Sequence, residues 1–262
     1  MAKINLDKYY TPQDTAYKCV LKTLEVIGIG KIIETIEPSA GSGVFSNLIR
    51  GCIAYDIEPE HESIIKQDFL KLELPYKKGR LFIGNPPFGS KNTLAVQFYK
   101  KCIKLGDYIA FILPINSLNN TNQMFEFDLI HSEDLGKINY SDIEVHCCFN
   151  IYKRPERGLN KKPNTKLKSV RIIEYRRGGT EKHIEGYDYR ICAWGASIGL
   201  ECKEPKQFAQ EFCFFIADEF KERVINILKT TNWKELYKMT ATPSLYQWQI
   251  TKHLKNTICE IF

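Results

Sequence analysis

The chain is poor in several features, and each shortage excludes something. No apolar run approaches the ~20 residues needed to span a bilayer. Residues Met1 to Lys8 lack the apolar centre of a secretory signal, so the expected setting is cytoplasmic, with no membrane attachment. The nine cysteines form no Cys-x-x-Cys pair, and Cys147 and Cys148 are adjacent. That spacing argues against a disulfide framework and against zinc, and leaves the thiols as small buried hydrophobes in a reducing compartment. The histidines (His61, His131, His146, His183, His253) form no ligand-spaced cluster, so no metal is expected. Internal repeats and low-complexity stretches are also missing.

What is present is ordinary in amount and uneven in placement. A length of 262 residues with 44% hydrophobic content suits one large domain, or a medium one plus a small one. The net charge is +6, yet Ile151 to Lys182 alone holds eleven Lys or Arg against three Glu, about +8. Such a block is either a solvated face or the footprint of a polyanionic partner, in which case Lys153, Arg154, Arg176 and Arg177 are candidates for the phosphate backbone.

Arg80-Leu-Phe-Ile-Gly-Asn-Pro-Pro-Phe-Gly89 is the most informative stretch. A short buried strand, Leu81 to Ile83, runs into a turn stiffened by two prolines, the first of which also restricts Asn85. The shelf presents an amide (Asn85), a carbonyl on a residue without an N–H (Pro86), and, beyond Pro87, an aromatic ring (Phe88). Two acceptors can meet the two hydrogens of an NH₂ group while a ring stacks on a flat base. The plain alternative is a strand-to-loop turn in which Phe88 simply packs.

The remaining segments frame that shelf. Thr11 is expected to cap a helix that starts at Pro12 and places Ala16, Tyr17, Val20, Leu21 and Leu24 at helical spacing. Ile32 to Ile36 reads as a strand. Gly41 and Gly43 form a tight loop, and a helix is expected from Val44 to Arg50, the opening of a nucleotide-binding α/β unit. Asn47 and Leu48 stand where a third glycine would fall, which counts against a dinucleotide fold. Cys52 to Asp56 is a second strand. It ends in a carboxylate 19 residues after Glu37, suited to a ribose or else to a helix cap. Ser63 to Phe69 gives a third strand ending in Asp68-Phe69. A helix over 92–105 and an apolar strand over Tyr108 to Pro114 follow. Residues 119–142 read as irregular, Glu144 to Tyr152 as a strand, Val170 to Tyr175 as another, and Phe212 to Lys229 as a helix. Thr242-Pro243 reads as a cap before the last helix. Strands alternating with helices imply a doubly wound, mainly parallel sheet with ligand residues at the strand carboxyl ends. The expected division is 1–152 and 153–262, the second part being small.

Taken together these stretches resemble the adenine-N6 DNA methyltransferases that use S-adenosylmethionine, in the motif order of their gamma class. The resemblance covers residues 9–155 and implies a seven-stranded Rossmann-like sheet with a small C-terminal recognition region. Tyr10-Thr11-Pro12 is similar to the motif that holds the cofactor's methionine end. Glu37-Pro38-Ser-Ala40-Gly41-Ser-Gly43 is similar to the cofactor loop, with Glu37 toward the methionine amine. Asp56 and Ile57 match the ribose acid and a wall of the adenine, Asp68-Phe69 the pair at the cofactor adenine, and Asn85 to Phe88 the catalytic motif. Phe149 matches a ring that packs on the flipped target base, and Tyr152 stands where many relatives carry Trp. The implied activity is site-specific adenine-N6 methylation of double-stranded DNA, of the kind found in restriction-modification, with room for a protein partner or a second copy.

Three other readings stay open on the sequence. Asn-Pro-Pro-Phe also occurs in RNA adenine methyltransferases, and a basic block suits RNA. A glutamine-modifying protein methyltransferase would use a similar shelf but gives the basic block no purpose. A non-catalytic nucleic-acid-binding subunit could retain the fold. Cytosine C5 chemistry is disfavoured because the chain has no Pro-Cys dipeptide.

Overall fold

Alternating side chains give the first part of the chain a sheet with two buried faces. On Leu81-Phe82-Ile83 and Ile109 to Leu113, successive residues point to opposite sides. Phe82, Ile109, Phe111 and Leu113 enter one core cluster. Leu81, Ile83, Ala110 and Ile112 enter the other. Each Leu, Ile or Phe side chain so taken from water contributes about 1.5–3 kcal/mol. The computed structural model describes residues 10–140, 143–164, 166–179, 184–237 and 244–261. Among them no helix is long and apolar enough to cross a membrane.

The chain divides into two units, Met1–Pro163 and Asn164–Phe262, later than the division expected at 152/153. In the first unit, α1 (Gln13–Ile27) precedes β1 (Glu34–Glu37), β2 (Ile53–Asp56), β3 (Ile65–Lys66) and β4 (Arg80–Gly84). Then come α2 (Thr93–Leu105), β5 (Tyr108–Pro114), β6 (Asp128–Tyr140) and β7 (Ile143–Lys153). The seven strands form one sheet in the order β3-β2-β1-β4-β5-β7-β6. Strands β3, β2, β1, β4 and β5 are parallel, and β7 is antiparallel to both neighbours. Helix α1 buries Ala16, Cys19 and Val20 in one core cluster, and α2 buries Ala95, Phe98 and Tyr99 in the other. This is the doubly wound, seven-stranded Rossmann-like sheet that was expected. The strand order reverses between β1 and β4, which opens a crevice at their carboxyl ends.

Four local expectations fail for identifiable reasons. Helix α1 starts one residue later than read: Pro12 is its N-cap, with no side-chain cap bond. Residues 44–50 form only turns and the 3-10 helix Ser46–Leu48. Gly43 and Gly51, at φ 79° and 76°, close off both ends, and a stretch this short cannot offset the cost of helix nucleation. Residues 119–142 contain the 13-residue strand β6. Its register shifts at Leu129/His131 and Asp134/Gly136 break the apolar alternation that would have revealed it. Phe212 lies in strand β10 (Gln210–Ile216), and the helix α3 (Lys221–Thr230) begins after it. Thr242 and Pro243 lie outside the described residues.

The second unit has its own core. Strands β8 (Val170–Arg176), β9 (Tyr189–Cys192) and β10 form an antiparallel sheet in the order β8-β10-β9. Phe212, Phe214 and Ile191 pack with α3, α4 (Trp233–Leu236) and α5 (Gln247–Thr257) through Val224, Leu228, Trp233, Ile250 and Leu254. Arg190 and Glu211 form an ion pair within this unit, with side chains 2% and 0% exposed.

Candidate active site

The reversal of strand order brings together residues distant in sequence. Glu37 ends β1, Asp56 ends β2, and Asn85 directly follows β4. They line one cleft, open at its mouth, together with Tyr10, Thr11, Pro38, Ala40, Gly41, Ile57, Pro86 and Pro87. Ser39, Val44, Glu60 and Gln67 also line it. Among the described residues, no group of three or more His, Cys, Asp or Glu side chains is placed to hold a metal ion.

Glu37 is 1% exposed. Its carboxylate accepts from the backbone N–H of Ser46 at 2.7 Å and of Phe45 at 3.4 Å. Burial pushes its pKa up to about 7, the two N–H bonds pull it back, and the Asp56 charge adds to the rise. The loop reaches this position because Gly41 and Gly43 take φ 54° and 79°, which a side chain would strain. Asp56 fastens the loop from the other side. Its Oδ2 accepts from the Gly41 N–H at 2.7 Å and its Oδ1 from the Glu58 N–H at 2.8 Å. A carboxylate has about four lone-pair sites, so two bonds do not exhaust it. The Gly41 carbonyl accepts from the Glu60 N–H at 3.2 Å, and the Tyr10 hydroxyl donates to the Glu60 carboxylate, joining two parts of the cleft wall.

Tethers from three other segments hold the shelf. The Ser39 hydroxyl donates to the Asn85 carbonyl at 3.4 Å. The Asn85 side-chain nitrogen donates to the Thr11 hydroxyl at 3.2 Å and to the Tyr140 hydroxyl at 3.5 Å. The Tyr140 hydroxyl in turn meets Cys147 Sγ at 3.5 Å. Burial is the main reason the Tyr140 phenol is held well above its ordinary pKa. The Phe88 carbonyl accepts from the Leu94 N–H at 3.1 Å and anchors the start of α2.

Several expected site residues fall elsewhere. Pro12 and Gly43 support the cleft without lining it. Asp68 does not line it either, because Oδ1 accepts from the Leu70 N–H at 3.0 Å and the carboxylate closes the turn after β3. Phe69 borders the cleft but is 1% exposed and stacks on Phe98 at 5.6 Å. Phe88 and Phe149 are 7% and 0% exposed and share a core cluster. Phe149 pairs with Ile112 and shares one face of the strand with Cys147 and Ile151, so pleating turns it into the same core cluster. It is therefore no exposed wall for a flipped base. Lys153 pairs with Tyr108, the first residue of β5, which puts it and Arg154 at the opposite end of the sheet from the cleft. Arg154 is engaged there: its guanidinium binds Asp107 at 3.0 Å and the Ile103 and Gly106 carbonyls. It also lies over the rings of Tyr76 and Phe127. Arg176 ion-pairs with Glu174 at 2.6 Å, and the Arg177 N–H donates to the Ala209 carbonyl at 2.8 Å, both within the second unit.

Sequence reading missed Tyr140, Ser39, Glu60 and Gln67. Tyr140 ends a strand that was read as irregular, so no pattern marked it. The acidic alternation Glu58, Glu60, Glu62 was a usable sign of a rim.

No family model matches the chain, and no curated protein matches it. Solved structures do. One is a candidate RNA methyltransferase from Pyrococcus horikoshii, at 17% identity and TM-score 0.45, covering 59% of this chain and 90% of that one. Another is a candidate class I S-adenosylmethionine-dependent methyltransferase from Listeria monocytogenes, at 14% identity and TM-score 0.46, covering 62% and 65%. A third is the 23S rRNA methyltransferase ErmE, at 15% identity and TM-score 0.42, covering 59% and 72%. These are likenesses of backbone arrangement at low identity, and the chemistry has to come from the chain's own residues.

Proposed function

We propose that this chain transfers a methyl group from S-adenosylmethionine to the N6 amine of adenine in double-stranded DNA. The observation that carries the reading is the convergence of the Asn85-Pro86 shelf with Glu37 and Asp56 in one cleft. The donor set suits the cofactor. Glu37 offers a buried anion for an ammonium, Asp56 retains lone pairs for a ribose diol, and Ile57, 41% exposed, offers an apolar surface for a ring. When bound, S-adenosylmethionine supplies an electrophilic methyl group on a sulfonium.

The chain's own part is to activate the amine. An adenine amine is a poor nucleophile because its lone pair is delocalised into the ring. Asn85 Oδ1 and the Pro86 carbonyl accept its two hydrogens, which favours a more tetrahedral nitrogen and localises the lone pair. Fixed acceptors in a cleft supply this without reorganisation, and proximity supplies much of the remaining acceleration. The product nitrogen loses its proton after transfer, so no tuned base is required. The base must leave its stack to reach the shelf.

The test is transfer of labelled methyl to duplex DNA, single-stranded DNA and structured RNA in parallel at low salt, followed by nucleoside digestion. N6-methyladenine in DNA is expected, and Asn85→Ala is expected to abolish it while cofactor binding persists. Label in RNA alone would reassign the substrate. Wild-type turnover in Asn85→Ala would remove the shelf from the mechanism.

A further inference from the structure

We infer that Tyr140 is a positioning residue, acting with Thr11 to set which way round the Asn85 amide sits. This inference rests on the proposed transfer to an adenine amine. A side-chain amide has two nearly isosteric limbs of opposite polarity, and a half-turn exchanges an acceptor for two donors. Activating an amine requires the oxygen limb to face it, since the nitrogen limb would set donor against donor. Asn85 Nδ2 donates to Thr11 Oγ1 at 3.2 Å and to the Tyr140 hydroxyl at 3.5 Å. Both partners are hydroxyls on other segments, one before α1 and one at the end of β6. Each can accept from Nδ2 while donating elsewhere, and Tyr140 has Cys147 Sγ at 3.5 Å for that purpose. Thr11 and Tyr140 are 8% and 3% exposed, so little water competes for these bonds. The distant β6–β7 pair thus reaches the catalytic motif through one phenol.

The experiment uses the full chain and the variants Tyr140→Phe and Thr11→Val. Three readouts are taken: kcat and KM with a duplex oligonucleotide, S-adenosylmethionine affinity by calorimetry, and exchange of the Asn85 side-chain amide protons by NMR. Tyr140→Phe is expected to lower kcat about tenfold, the scale of one lost hydrogen bond, with cofactor KM within twofold. Its Asn85 amide protons are expected to exchange faster than in the wild type. Thr11→Val should also lower kcat and speed the exchange. Unchanged kcat and unchanged exchange in Tyr140→Phe would overturn the inference, and so would a loss confined to KM. If the wild type methylates no nucleic acid yet Tyr140→Phe speeds the exchange, the positioning stands and the proposed reaction falls. If the wild type methylates DNA and Tyr140→Phe matches it in every readout, the reaction stands and the positioning falls.

Discussion

Replacing Glu37 with Gln isolates the cost of burying an ionisable group under the loop that holds Gly41 and Gly43. Burial raises its pKa from an ordinary 4.5 to about 7. At about 1.36 kcal/mol per pH unit this corresponds to about 3 kcal/mol. The sign follows from proton counts. Below pH 4.5 the carboxyl is protonated in the folded and unfolded chains alike, so it adds no pH dependence there. Between 4.5 and 7 the unfolded chain releases the proton while the folded chain keeps it, so stability falls as pH rises, and the full penalty is present above 7. Gln carries no such penalty but keeps only one acceptor for the Ser46 and Phe45 N–H groups. The variant is therefore expected to be less stable than wild type at pH 5, by about 1 kcal/mol. By pH 8 it should have gained about 3 kcal/mol relative to wild type, a shift of roughly 5–10 °C in melting temperature for a unit of this size. Hydrogen exchange of the β1 and β4 amides against urea follows the first unit alone. A gap between variant and wild type that stays constant from pH 5 to pH 8 would refute the reasoning. A corollary concerns ligands: an ammonium beside Glu37 favours the carboxylate, so cofactor affinity should rise from pH 6 to pH 8 with proton release.

Three further outcomes follow from other contacts. Arg190→Met leaves Glu211 buried without its cation and should cost the second unit about 3–5 kcal/mol, with Arg190→Met/Glu211→Leu recovering much of it. Because Trp194, Trp233 and Trp248 all lie in that unit, tryptophan fluorescence in urea reads it directly. Arg154→Ala should destabilise the first unit by about 2 kcal/mol, through carbonyls and a carboxylate that lose their donor, and should leave duplex affinity by anisotropy unchanged. In the exposed Lys161-Lys162 pair, double substitution to Gln should flatten the salt dependence of duplex binding by about 1.8 if each lysine meets one phosphate.

The frame of the fold was legible because it is written in short-range patterns. An apolar run such as Tyr108 to Pro114 can hardly be anything but a doubly buried strand, and Asn85-Pro86-Pro87 carries its stiffness locally. The cleft was legible for the same reason, since Glu37 and Asp56 end, and Asn85 directly follows, strands that their own residues announce. What could not be read depends on partners. Strand β6 exists because β7 pairs with it through two irregularities. Phe212 and Phe214 follow a two-residue period that the apolar positions of α3 concealed. Phe149 looks like an aromatic offered to a base until the pairing with Ile112 fixes which face it takes. Arg154 looks like a phosphate contact until three acceptors, one at the end of α2 and two on the residues between α2 and β5, converge on it. Tyr140 gave no signal at all, because the hydroxyl contact that brings it to Asn85 spans 55 positions of sequence.

The distribution of thiols turns the molecule into its own two-channel recorder. Only Cys259 is exposed and only Cys52 half-exposed, while Cys19, Cys102, Cys147, Cys148, Cys192, Cys202 and Cys213 are buried. Burial also holds them in the unreactive protonated form, with Cys147 and Cys213 pushed up to about 11. A maleimide dye added to the native protein should therefore mark Cys259 first. Under rising denaturant, mass spectrometry of labelled peptides would assign each newly reactive cysteine to the Met1–Pro163 or the Asn164–Phe262 unit, and so date the opening of each within one sample.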